Sequence, residues 1–341
     1  MKRTSSKTTS RKARVRRKIL ALAVLGTGLF LGALAGCTQQ GNSSIAAPLS
    51  NPVPTGTPQH PFIREWGFYG GGSGDFDNPS AIAVNAAGTT VYVADENNNR
   101  VEAFSPTGGN LTQWPATLPA GLAVEAGGDV VVTTQEYVQR FDYAGNLLAS
   151  GGGPGTVAGQ FSSPQGLADP AGVTVYVADS ANQRIQGVTF LSSLSVPSYG
   201  VTNLATWGGG APAFSLPLGL ALSPSGNVLY VTDNGNSKAW GVTLGSGGGF
   251  FEWDGGFGPN PGQFNHPRGL AVDPNTGHLY VADTGNNRIE EFGPNGSFAF
   301  QWGGLGTGNG FFHSPAAVAV DGGGNIYVVD SGNELIQKFG P

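Results

Sequence analysis

The sequence predicts an all-β fold, and three observations carry that expectation. Glycine and proline account for 57 and 23 of 341 residues while charged residues make up only 11%, so turn formers far outnumber strong helix formers. Short apolar runs alternate with Gly- and Asn-rich turns along most of the chain. One phrase also recurs, as VYVADENNNRVEAFSPTGG, VYVADSANQRIQ and HLYVADTGNNRIEEFGPNG, so the chain is assembled from a repeated unit. Hydrophobic residues reach 39%, enough for a sizeable core in a chain of this length.

The N-terminus is different in kind. Nine of the 17 Lys and Arg residues lie between Lys2 and Lys18, and ARVRRK leads into the apolar run ILALAVLGTGLFLGALAGC. A basic segment, an apolar stretch and then small residues form a secretory signal over residues 1–36. Leu34-Ala35-Gly36-Cys37 resembles the bacterial lipobox, in which the cysteine is acylated and becomes the mature N-terminus. Cys37 is the only cysteine, which suits a thiol consumed by lipidation and excludes an internal disulfide. The alternative is an uncleaved anchor, although the run from Ile19 to Ala35 falls short of the ~20 residues that span a bilayer. Residues 37–60 are polar, Pro-rich and aperiodic, a flexible tether.

Six repeats occupy residues 61–341. Each opens on a Pro-led phrase (NPSAIAV, LPAGLAV, SPQGLA, LPLGLAL, HPRGLAV, SPAAVAV) and continues to a second strand ending at Asp95, Thr134, Asp179, Asp233, Asp283 and Asp330. The spacing suits one four-stranded antiparallel sheet per repeat, so the expected architecture is a six-bladed β-propeller. Unit six stops after its third strand, at LIQKFGP, and FIREW near the start of the repeats reads like FAFQW of unit five. The N-terminal strand is therefore expected to join the last blade and close the ring, which leaves no open edge. Trp66, Trp114, Trp207, Trp253 and Trp302 mark the ends of fourth strands and are expected to pack between blades.

These residues resemble the NHL-repeat family of β-propellers, most clearly in HPRGLAVDPNTGHLYVADTGNNRIEEFGPNGSFAFQWGG, and the resemblance runs from about residue 62 to 341. Unit two departs from it, with Thr134 in place of Asp and a shortened turn. Asp95, Asp179, Asp233 and Asp283 are each followed five residues later by a cation, Arg100, Arg184, Lys238 and Arg288. Because the pair recurs, it is read as structural: the carboxylate caps the following turn and the cation pairs with it.

Function is expected where the repeat breaks its own rule. Unit two substitutes Gln135-Glu136-Tyr137 in the turn, unit six leaves Asp330 without its cation beside Glu334, and the residue after each leading proline varies, including Gln165 and Arg268. Two of the four histidines, His266 and His313, fall in adjacent loops on the same face. Tyr137, Glu136, Arg268, His266, His313, Asp330, Glu334 and Gln165 thus make up the candidate ligand face. Units three and four carry longer outer segments, FLSSLSVPSYGVTN and LGSGGGF.

Chemistry finds little support. No nucleophile is paired with a base, and no Gly-rich string joins a strand to a helix as a phosphate loop requires. Two histidines are too few for the zinc that some propeller lyases resembling this family hold. Removing the nine cations of the signal leaves 8 basic against 22 acidic residues, a formal −14, which repels nucleic acid. The expectation is a monomeric, lipid-anchored protein of the bacterial envelope, on its periplasmic or outer side, binding a protein, glycan or small molecule without a cofactor. The rival is a lactonase- or amidating-lyase-like enzyme with calcium or zinc in the channel.

Overall fold

The computed structural model describes residues 59–169, 174–190, 198–199, 201–208, 213–245, 249–253 and 255–341. The signal, Cys37 and nearly all of the tether lie outside these, as do parts of the two long outer segments. Six antiparallel sheets form a closed propeller. Blade 1 is Pro79–Val84, Val91–Asp95, Arg100–Phe104 and Asn110–Pro115, a meander in which each strand pairs with the next. Blades 2 to 5 repeat the order. In blade 6 the strands Pro315–Val320, Ile326–Asp330 and Leu335–Phe339 are completed by Phe62–Trp66, with Trp66 opposite Ile336 and Phe62 opposite Phe339. The ring closes as the sequence implies.

The second strands show why the phrase is repeated. In VYVAD, alternate residues point to opposite sides of the blade. Val91 and Val93 pack into the cluster shared with blade 6, while Tyr92 and Ala94 pack into the cluster shared with blade 2. Both sides are dry, so every residue of the strand is buried. Among the described residues there are six such clusters, one at each blade-to-blade contact. The tryptophans serve these contacts: Trp114 meets Phe141 of blade 2 at 5.9 Å, Trp253 meets Phe292 of blade 5 at 5.0 Å, and Trp302 meets Phe339 of blade 6 at 5.7 Å.

Two features differ from expectation. Blade 2 has a fifth strand: Ser198–Tyr199, from the long outer segment of blade 3, runs parallel to Leu147–Gly152 and covers its exposed edge. His60, expected in the tether, is instead a buried member of the propeller. Its ring packs on Trp302 at 4.9 Å, and its nitrogens lie 3.0 Å from Glu291 and 3.3 Å from the Gly340 carbonyl. Burial alone pushes the Glu291 carboxyl up, but hydrogen bonds from His60 and His278 outweigh it and hold the group below its usual range. The strand that closes the ring is thus anchored two residues before it begins.

Ile336 is fully buried in the cluster joining blades 6 and 1. Replacing it by Ala costs about 2–5 kcal/mol. The expected reading is a lower urea midpoint with an unchanged slope.

Candidate functional site

The first strands of all six blades stand side by side around a central channel. Their spacing is set by the glycine in LPAGLAV, SPQGLA, LPLGLAL and HPRGLAV. A Cβ at Gly121, Gly166, Gly219 or Gly269 would overlap backbone atoms of the next blade, so these strands touch main chain to main chain. In blades 1 and 6 the corresponding residues are Ala81 and Ala317. The residue just before this contact is therefore held at the channel mouth, and the six are Ser80, Ala120, Gln165, Leu218, Arg268 and Ala316. They surround a cavity of about 70 Å³. The opposite end of the channel is wider, about 280 Å³, and lined by Ala, Val, Leu and Ile side chains with Asp169.

A second ring of residues, those following the strand-end Asp, laces the mouth together. Ser180 donates to the Pro217 carbonyl, Asn234 to Pro267 at 3.2 Å and Thr284 to Pro315 at 2.7 Å, each reaching the next blade. Blade 1 has Glu96 here. Its carboxylate accepts from Asn78 Nδ2 at 3.1 Å through Oε2. Burial pushes the Glu96 carboxyl up, partly offset by the positive charge of Arg268. Burial likewise lowers the Arg268 guanidinium, and Glu96 opposes that shift. The two charges feel each other without forming an ion pair. The backbone of Arg268 is fixed by its N–H donating to Ala282 at 3.0 Å and by the Thr232 hydroxyl donating to its carbonyl.

Arg268 stands apart from every other described cation of the propeller. Arg100, Arg184 and Arg288 each donate through Nε to their own Asp at 2.7 Å, and their Nη atoms donate to carbonyls of the loop between blades. Arg140 pairs with Glu125, and Arg64 donates to the Thr107 carbonyl. Lys338 lies over the Tyr327 ring. Lys238, expected on Asp233, instead binds Glu252 at 2.7 Å. Asp233 has its own donors in Ser215 N, Leu216 N and Asn236, and a flexible ammonium reaches the exposed strand more readily than the buried turn. Among the described residues, the Arg268 guanidinium has neither a hydrogen bond nor an ion pair.

The other candidates take different roles. Asp330 is fully buried and has no cation; it accepts from His313 N at 2.7 Å, Asn333 Nδ2 at 2.8 Å and Gln337 Nε2 at 3.0 Å, the last being the bond that Gln186 makes to Asp179 in blade 3. Glu334 accepts from Asn78 N at 2.8 Å, the same inter-blade bond that Asn99 makes with Leu118 and Asn287 makes with Ser314, so it works as a staple. His266 and His313 are exposed on the outer rim, bonded to Asn265 and to the Gly332 carbonyl. Tyr137 is exposed on the same face, and Glu136 Oε2 is buried without a partner among the described residues. Of the candidates, Arg268 and Gln165 meet at the mouth. Glu96 was missed, although the series Glu96, Gln135, Ser180, Asn234, Thr284, Ser331 carries one charge among neutral residues. The loop GGSGDFD uses the carbonyls of Gly72 and Asp75 to hold Arg100. No group of three His, Cys, Asp or Glu suited to a metal exists among the described residues, and the residues lining the mouth include a guanidinium and no carboxylate, a poor setting for a divalent cation.

Glu290 offers a test of the Asp–Arg clamp. It lies 2.8 Å from Arg288, fully buried, and burial pushes its carboxyl up to about 8, with Arg288 opposing and Asp283 adding to the rise. The folded protein then holds a proton that the unfolded chain releases above its usual 4.5, so stability falls as pH rises from about 4.5 to 8. Blades 3 and 6 carry Gln186 and Gln337 at this position. Glu290→Gln should flatten that slope, raising the melting temperature at pH 8.5 by a few degrees and changing it little at pH 5.

Comparison with known proteins agrees with this architecture. Residues 264–292 and 312–339 match the NHL repeat. No curated protein sequence matches the chain. Among solved structures, a gluconolactonase from Xanthomonas campestris superposes with a TM-score of 0.58 at 16% identity, covering 78% of this chain and 86% of its own. Virginiamycin B lyase from Staphylococcus aureus gives 0.55 at 16% identity over 82% and 98%, and a streptogramin B lyase gives 0.56 at 13% over 82% and 97%. At such identities the likeness is one of fold. The chain is a six-bladed β-propeller that carries NHL repeats.

Proposed function

We propose that this protein is a binding lipoprotein of the bacterial envelope that takes its ligand at the channel mouth, with residues 1–36 removed on export and Cys37 carrying the lipid. The observation that supports the site is Arg268, a guanidinium drawn out of bulk water into a cavity with no partner, where every other described cation of the propeller has one. An unpaired charge in such a place is costly and is relieved when an anionic group enters. The small volume of the cavity, about 70 Å³, and the net negative charge favour a small molecule over a polyanion.

The test is native mass spectrometry of the full chain purified from its own envelope. A compound retained by the wild type should be absent from Arg268→Ala and reduced in Gln165→Ala, both at the mouth. It should be unchanged in Tyr143→Ala, an exposed position at the opposite end. Equal retention by all four proteins contradicts the reading.

A further inference from the structure

The mouth is asymmetric in a way that specifies what it holds. On one side the ring residues are small, Ala316, Ser80 and Ala120; on the other they are long, Gln165, Leu218 and Arg268. The hollow therefore lies over blades 6, 1 and 2. Arg268 belongs to blade 5 and lines the cavity. Glu96 of blade 1 stands outside the lining: Asn78 Nδ2 holds it at 3.1 Å, just before the strand Pro79–Val84 that carries Ser80, and the charge of Arg268 reaches it there. The cation thus lines the cavity, the anion flanks its rim, and the two do not touch. Asn78 occupies Oε2 of Glu96, while Oε1 has no hydrogen-bond partner among the described residues. The Ser80 hydroxyl donates to the Pro119 carbonyl at 2.9 Å, leaving its oxygen as an acceptor. The Gln165 amide is half-buried at the same ring. Since 10–15 Å³ admits a water, a cavity of about 70 Å³ has room for about five or six heavy atoms, the size of an acid head group.

We propose that the mouth seats a carboxylate that carries a hydrogen-bond donor on the adjacent carbon, as in 2-amino and 2-hydroxy acids. Arg268 takes the carboxylate and Glu96 takes the donor. This rests on the reading of the mouth as the binding site and adds its chemistry. A guanidinium presents paired N–H groups that match the two oxygens of a carboxylate, so a planar anion is favoured over a spherical one. Glu96 can only accept when ionised, which makes an ammonium or hydroxyl the complementary neighbour. The surrounding charge of −14 works against multiply charged anions, whereas a single carboxylate at Arg268 interacts over a few ångströms in a partly dry site.

The experiment uses the full chain and four small probes, glycine, glycolate, acetate and glycolamide, in calorimetric titration and thermal denaturation. Glycine and glycolate should bind and raise the melting temperature. Acetate, which lacks the donor, should bind at least fivefold more weakly, and glycolamide, which lacks the charge, should have no effect. Arg268→Leu places in blade 5 the residue that blade 4 carries as Leu218. It should abolish acid binding while the unliganded variant melts at or above the wild-type temperature, because an uncompensated charge has been removed. Glu96→Gln should weaken glycine at least tenfold and glycolate less than threefold. Glycolamide acting as strongly as glycolate, binding that survives Arg268→Leu, or a drop of several degrees in unliganded Arg268→Leu would each overturn the proposal. If no acid binds while Arg268→Ala still loses a co-purified compound, the mouth stands and the carboxylate chemistry falls. If neither depends on Arg268, both fall.

Discussion

Two five-residue segments from opposite ends of the chain, Phe62–Trp66 and Leu335–Phe339, share one sheet, and the rest of the structure depends on that pairing. Without it blade 6 would have three strands, and the cluster joining Tyr327 and Ile336 to Val93 and Phe104 would lose Trp66 from its edge. A meander of sheets has two ends, each exposing apolar side chains and unpaired backbone groups. Pairing the ends removes both liabilities at once and holds six blades in a ring. His60 reinforces the closure by burying its ring against Trp302 and its nitrogens against Glu291 and Gly340.

Closure also creates the site. Once six blades share a ring, their first strands must approach closely enough that glycine or alanine is needed at each contact, and the residues just before these contacts converge on one opening. Repetition makes most of the molecule self-satisfying: each Asp has its turn, each Arg its loop carbonyls, each small polar residue its neighbouring proline carbonyl. A departure from the pattern is then left facing the channel with no role in holding blades together. Arg268 and Glu96 are two such departures: Arg268 lines the opening, and Glu96 stands near enough to feel its charge.

Much of this was legible in the chain itself. Strand alternation in VYVAD, the missing last strand at LIQKFGP and the phased tryptophans follow from periodicity, which sequence displays directly. The Asp–Arg pairs were legible because they recur. What sequence hid was contact between distant segments and competition between neighbours. His60 belongs to the propeller because of an aromatic bed built by Tyr280, Phe300 and Trp302, more than 200 residues away. Lys238 chose Glu252 over Asp233 because the opposing strand brought a second carboxylate closer. Ser198–Tyr199 found the edge of a blade other than its own. Asp330 and Glu334 appeared unpaired only because Gln337 and Asn78, which satisfy them, are not cations. Glu96 is hidden in sequence because it follows the strand-end Asp in a turn rich in polar residues, and only the fold brings it within reach of the Arg268 charge.

The account is tested most directly by amide hydrogen exchange of the full chain, comparing residues 62–66 with residues 335–339. Closure predicts that both segments are protected and lose protection together, at the opening free energy of blade 6. Fast exchange at 62–66 while 335–339 remains protected would contradict it, and with it the convergence of the six strand ends on a single mouth.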